Sequence, residues 1–185
     1  VRADGAAVHD DQGPLDLGGD RGLVDAAVRP LAEQDVDPVI RLSLAAWQPV
    51  FESFEMVLGS EIFAKLYPDW RASQAALVEE VCRDNEKYTV CVAEVEGEVV
   101  GFLAYRLDAE EKQGEIYLLA VDPAYQNRGI GTRLNDLALQ KMVEGGMTLA
   151  FVGTGGDPAH APARRTYEKV GFTPIVNVLY YKSLP

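Results

Sequence analysis

At 185 residues, with 48% hydrophobic and 25% charged residues, the chain is long enough to bury one real core and has the balance of a soluble globular domain. A formal net charge of -12 argues against nucleic acid as the main partner, because backbone binding needs clustered Lys and Arg, and it favours cationic acceptors such as amines. No apolar stretch reaches the roughly 18 residues of a membrane span and the start shows no secretory-signal pattern, so the expected setting is intracellular and cytoplasmic.

Residues 1–22 hold five glycines and five aspartates with little apolar periodicity and read as a flexible leader or an expression remnant, ahead of a single domain over 23–185. The run Val24 to Leu31 predicts a first strand, and Asp35 to Trp47 a helix with Val36, Val39, Ile40 and Leu44 toward one face. Pro49 to Leu66 is rich in aromatic and apolar residues, Tyr67-Pro68-Asp69-Trp70 breaks the pattern, and Ser73 to Val81 predicts a further helix. Cys82 and Cys91 have neither metal-ligand spacing nor the density of a disulfide scaffold and read as buried free thiols in a reducing compartment. Thr89 to Ala93 and Val99 to Tyr105 flank Glu96-Gly97 as a hairpin, and Gly114 to Val121 follows as a strand that is apolar from Ile116 onward, as befits a central position. Gly129 to Met142 predicts a helix with Ile130, Leu134, Leu137 and Ala138 inward, and Gly145-Gly146 ends it. Thr148 to Val152 then reads as a strand parallel to the previous one, Pro162 to Val170 as a short helix and Ile175 to Tyr181 as a closing strand.

The chemistry concentrates in Gln126-Asn127-Arg128-Gly129-Ile130-Gly131, placed between the apolar strand and the helix. Two glycines there let backbone N–H groups crowd around an anion at a helix N-terminus, although a glycine pair after a strand also serves as plain turn chemistry. The stretch lacks the lysine and hydroxyl of a P-loop and the full spacing of a dinucleotide fingerprint. It resembles the acyl-coenzyme A pyrophosphate loop of the GNAT superfamily of N-acetyltransferases, written Gln/Arg-x-x-Gly-x-Gly/Ala. Val121-Asp122-Pro123-Ala124-Tyr125-Gln126 resembles that family's exit from its bulged fourth strand, and Tyr167-Glu168-Lys169-Val170-Gly171-Phe172 its final helix and turn. The resemblance covers about residues 27–181.

That resemblance implies an α/β fold: a mixed, mostly antiparallel sheet of six to seven strands flanked by helices, with splayed central parallel strands. It implies acetyl-coenzyme A as cofactor, the backbone of Leu119 and Val121 bonding the acyl carbonyl and pantetheine arm, and Gln126, Asn127, Arg128, Gly129, Ile130, Gly131 and Thr132 cradling the pyrophosphate. A side chain added at Gly129 or Gly131 is expected to crowd this loop. Arg128, Arg133, Arg164 and Arg165 are the local cations available to phosphates or, equally, to the surface. Acetyl transfer from a thioester to an amine needs a free nucleophile, and taking the proton from a lysine-like ammonium at neutral pH costs about 4 to 5 kcal/mol. Glu115 is the expected base, directly or through water; it shares the face of Tyr117 and Leu119 by the two-residue period. Tyr167 resembles the family tyrosine whose hydroxyl bonds or protonates the leaving coenzyme sulfur. His160, seven residues earlier where relatives carry asparagine, is expected to contact pantetheine, orient the acceptor, or cap and pack at the helix start. Trp47, Glu52, Phe54 and Glu55 are candidate acceptor contacts, and Glu52, Glu55 or Asp69 would give the acidic groove that suits a cationic amine.

The expected activity is therefore transfer of acetyl from acetyl-coenzyme A to a primary amine of a small molecule or peptide by direct attack in a ternary complex. The alternative is a catalytically silent coenzyme-binding sensor, which needs the loop but neither Glu115 nor Tyr167. No metal site, nucleic acid or membrane is expected as a partner, and the resemblance suggests a homodimer through the C-terminal strand or the 50–70 region.

Overall fold

A computed structural model of the chain describes residues 24–184; the leader expected over 1–22 lies outside the described residues. Strand β1 (Ala27–Pro30) leads into helix α1 (Val36–Leu58), and Arg29 ties the two together by donating to Asp35 at 3.0 Å and to Glu94 at 2.7 Å. The buried Asp35 carboxyl is held below its ordinary value first by that guanidinium. Helix α1 runs 23 residues, on through Pro49 and past the end expected at Trp47. Proline at 49 removes the N–H that would meet the Ala45 carbonyl, and Ala45 is exposed, so water can take that carbonyl and the helix continues. Helices α2 (Ser60–Leu66) and α3 (Trp70–Arg83) follow, the second started by Asp69, whose side chain accepts the Ala72 N–H at 3.0 Å.

The sheet then builds from β2 (Thr89–Val95), β3 (Glu98–Asp108) and β4 (Gln113–Val121), joined β2 to β3 by Glu96 and Gly97, both with positive φ (52° and 85°) as the tightest hairpin turn requires. Helix α4 (Ile130–Glu144) crosses back to β5 (Leu149–Val152), which lies parallel to β4, and α5 (Ala161–Lys169) completes the regular elements. Strand order is β1-β2-β3-β4-β5, antiparallel except for the last pair. One face packs on α1 and α3 through Val39, Leu42, Val78, Val81 and Phe102; the other packs on α4 through Ile130, Leu134, Ala138 and Met142 against Leu103 and Ile116. Both cysteines are free, and burial pushes the Cys82 thiol up to about 11.

Five strands stand among the described residues in place of six to seven, and the closing strand expected over 175–181 is absent. That segment is apolar at adjacent positions (Ile175, Val176, Val178, Leu179), a pattern suited to a strand covered on both faces, and here neither face is covered: Ile175 is 93% and Tyr180 91% exposed. It runs instead to α2, where Ser183 meets Glu61 and Lys65.

A second correction concerns β4 itself. Its register to β3 shifts so that Ala104 faces Leu118 and Tyr105 faces Ile116, leaving Tyr117 as a bulge without a partner. The extra residue reverses the alternation: Tyr117 and Leu118 both pack toward the α1 side, while Leu119 packs toward α4. Glu115 and Leu119 therefore do not share a face.

Candidate active site

Beyond the bulge β4 loses one neighbour. Its pairing with β3 continues to Val121, but its pairing with β5 stops at Ile116 opposite Val152, so backbone groups from Tyr117 to Val121 have no strand on that side. A cavity of about 630 Å³ opens there, bounded by Leu119 to Val121, by Trp47 and Val50 of α1, by Gln126, Asn127 and Gly129 to Thr132, and by Pro158 to His160 with Arg165, Thr166 and Lys169 of α5. Gln126 braces its rim, donating to the Val121 carbonyl at 3.0 Å.

The first turn of α4 faces this cavity without a cap. Asn127 (φ 60°) and Gly129 (φ 83°) take left-handed conformations that turn the chain sharply into the helix, and no side chain caps it. The N–H groups of Ile130, Gly131 and Thr132 precede the first intrahelical bond, from Arg133 to the Gly129 carbonyl at 3.0 Å. By contrast, Asp69, Asp122 and Asp157 each accept an N–H at the starts of α3 and of the short turns Pro123–Tyr125 and Pro158–His160. Free donors, the positive end of the helix dipole and an open approach fit a phosphate group. A Cβ at Gly131 would meet Thr166 Cγ2 at 3.5 Å and Val121 Cγ2 at 3.9 Å, ordinary contacts, so the expected crowding by the protein itself does not occur there. What such an atom would occupy is the mouth of the cleft. At Gly129 the left-handed backbone supplies the constraint.

The expected cations divide by surroundings. Arg165 lines the cleft together with Lys169, which sequence reading missed because nothing in its spacing sets it apart from a surface lysine. Arg133 pairs with Asp25 at 3.1 Å, Arg164 donates to the carbonyls of Gly155 (2.6 Å) and Asp157 (2.8 Å), and Arg128 lies over the Tyr125 ring with its buried Nε unpartnered.

The two expected catalytic side chains sit away from the cavity lining. Glu115 is in the stretch still paired to β5, about 13 Å along the strand from Leu119, and is ion-paired with Arg106, whose guanidinium stacks over Tyr117. It borders a neighbouring cavity with Lys87, Asp108 and Phe151. Tyr167 is 8% exposed and packs edge-on to Phe172 at 5.9 Å, while its chain neighbour Thr166 lines the cleft. Burial pushes its phenol up to about 12. Of the acceptor candidates, Trp47 lines the cleft and Phe54 lies 5.7 Å from the His160 ring; Glu52 bonds Gln48 at 2.8 Å, and Asp69 is occupied as a cap.

His160 does line the cleft, and its Nδ1 is held by Asp157. This partner was missed, although Asp157-Pro158-Ala159-His160 carries a readable sign: an Asp–Pro helix start brings the residue three positions on back over the cap.

The sequence matches the model of the acetyltransferase (GNAT) family over residues 50–172. The mycothiol acetyltransferase of Sanguibacter keddieii is 31% identical over 139 residues, covering 71% of this chain and 44% of that protein, so the chain spans less than half of its length. A GNAT-family protein of Desulfovibrio desulfuricans superposes with a TM-score of 0.62 at 25% identity over 82% of this chain and 87% of the other. An aminoglycoside acetyltransferase from an uncultured soil metagenomic sample, solved with sisomicin, gives 0.53 at 25% identity over 86% and 97%.

Proposed function

The chain belongs to the GNAT acetyltransferase family, and from that premise we propose that it transfers acetyl from acetyl-coenzyme A to a primary amine of a small molecule or peptide. The observation that carries this reading is the uncapped start of α4, opening where β4 and β5 part. In that cleft the N–H groups of Ile130, Gly131 and Thr132 would bind pyrophosphate, with Arg165 and Lys169 supplying charge that a chain of net charge -12 otherwise lacks. Gln126 keeps the Val121 carbonyl oriented, and backbone groups near Leu119 and Val121 would hold the extended amide arm as a strand would. When bound, the coenzyme supplies an activated thioester carbonyl.

Glu115, held by Arg106 outside the cleft, would take the amine proton through water rather than by contact. Tyr167 would stabilise the departing sulfur as a hydrogen-bond donor. With its phenol near 12 and a thiol near 8.5, full proton donation is uphill by about 5 kcal/mol, so a bond to the thiolate is the favoured role. Similarity to the Sanguibacter mycothiol acetyltransferase and to the metagenomic aminoglycoside acetyltransferase solved with sisomicin supports polar amine acceptors as the class to test. A cytoplasmic setting suits two free thiols, and the exposed apolar segment from Ile175 to Tyr181 supports a homodimer.

The deciding assay is thiol release from acetyl-coenzyme A against polyamines, amino acids, short peptides and aminoglycosides including sisomicin. Amine-dependent release is expected. Coenzyme binding without release for any amine would move the chain to the sensor class, and no coenzyme binding would remove the reading altogether.

A further inference from the structure

We propose that His160, fixed by Asp157, is the group that receives a hydrogen bond from the amine substrate and so selects it; this deepens the transferase reading and rests on it. The arrangement is built around the ring. Asp157 gives one carboxylate oxygen to the Ala159 N–H at 3.0 Å and the other to His160 Nδ1, and Ser53 from α1 reaches the same carboxyl. Burial works to raise this carboxyl, but the bonds from His160 and Ser53 outweigh it and hold it below the ordinary carboxylate value. Arg164 fixes the main chain beneath, through the carbonyls of Gly155 and Asp157. Position 155 has no room for a side chain: a Cβ there would land on both Asp157 Oδ2 and His160 Nδ1.

An ionised carboxylate can only accept, so Nδ1 carries a proton, and in the neutral imidazole the lone pair is left on Nε2. Nδ1 is turned to Asp157, His160 lines the cleft, and Nε2 has no partner among the described residues yet is not among the buried unpartnered atoms. The cleft therefore presents an acceptor of hydrogen bonds at this point. The ring lies 5.7 Å from Phe54, whose helix α1 also contributes Trp47 and Val50 to the cleft that the α4 loop borders. An amine entering along α1 would meet Nε2 with an N–H to donate, and a substrate presenting only acceptors there would leave two lone pairs facing each other.

Two arms test this. In the ligand-free protein, nitrogen NMR of the imidazole at alkaline pH should show Nδ1–H in the wild type; the chain has two histidines, and His160→Leu identifies the signal by removing it. Asp157→Asn should reverse the tautomer, because the Ala159 N–H holds one side-chain oxygen and turns the amide nitrogen toward Nδ1. In steady-state kinetics, His160→Leu should raise KM for the amine at least about 10-fold with little change in kcat or in KM for acetyl-coenzyme A. His160→Gln, whose amide can donate to Asp157 and present its oxygen to the cleft, should recover most of the loss.

An Nε2–H tautomer in the wild type would overturn the proposal. So would a His160 signal that moves on adding coenzyme A alone, together with a raised KM for acetyl-coenzyme A, since the ring would then belong to the pantetheine arm. A fall in kcat without a change in amine KM would place the ring in the chemical step and equally overturn it. Failure of the transferase reading looks different: no amine releases thiol, while the tautomer stays as expected.

Discussion

From Gln113 to Ile116 strand β4 has β3 on one side and β5 on the other, whereas from Tyr117 to Val121 only β3 remains. Upstream, backbone donors and acceptors are consumed in the sheet, and the chemistry left over belongs to side chains, as in the Glu115–Arg106 pair. Downstream, the backbone is left without a strand on one side and borders the cleft, and the side chains of Leu119 and Val121 pack toward the α4 core. The bulge at Tyr117 marks the change, and it also rotates the side chains, so the strand offers its upstream carboxylate and its downstream backbone to different compartments of the fold.

The sharpest way to break this contrast is at the downstream end. Gly131→Leu would fill the cleft mouth with little protein contact to disturb, so coenzyme affinity should fall by about 1,000-fold or more while the thermal midpoint stays near wild type. Titration calorimetry beside a thermal melt checks both halves. Next in size, Tyr167→Phe should lower turnover between about 10- and 1,000-fold with coenzyme affinity retained, read by single-turnover kinetics; wild-type turnover would remove the phenol from the chemistry.

The same phenol makes a stability prediction. Its ordinary value is 10.0 and burial lifts it to about 12 in the fold, so between these values the unfolded chain has lost a proton that the folded chain retains. Stability from this group is therefore complete below pH 10 and falls by about 2.7 kcal/mol as pH rises toward 12. Denaturant melts across that range should show the decline in the wild type and a shallower one in Tyr167→Phe. The smallest effect is expected upstream: Glu115→Gln should lower turnover about 10-fold, since water can partly replace one carboxylate, with coenzyme binding unchanged. No change in turnover would make the pair with Arg106 purely structural.

Much of this architecture was legible before any coordinates. The runs Thr89 to Ala93 and Val99 to Tyr105, the Glu96-Gly97 turn and the stripe Ile130, Leu134 and Ala138 each state one local preference, and the fold agrees with each. The glycine loop was legible because left-handed backbone leaves a mark in residue type. The bulge at Tyr117 was not, because its cause is a register mismatch between β3 and β4, and any residue can occupy it. Pro49 misled for a related reason: its lost hydrogen bond matters only where water cannot reach the freed carbonyl, and the exposure of Ala45 is a tertiary fact. The segment after α5 has the apolar content of a strand but lacks the neighbour that would make it one. Of the site, the α4 loop and His160 were found, whereas Asp157, Lys169 and the separation of Glu115 from the cleft required the chain to be folded.

The absent cap at α4 has one more consequence, for the motions of the free protein. The amides of Ile130, Gly131 and Thr132 have no partner among the described residues, so they should be among the fastest-exchanging hydrogens in the ligand-free molecule, although the helix behind them is anchored by buried Leu134 and Met142. A ligand that takes those three hydrogens completes the first turn from outside. Deuterium uptake at 130–132 would then act as a built-in occupancy gauge, slowing in proportion to the fraction of molecules carrying the coenzyme and remaining blind to whether any amine is present.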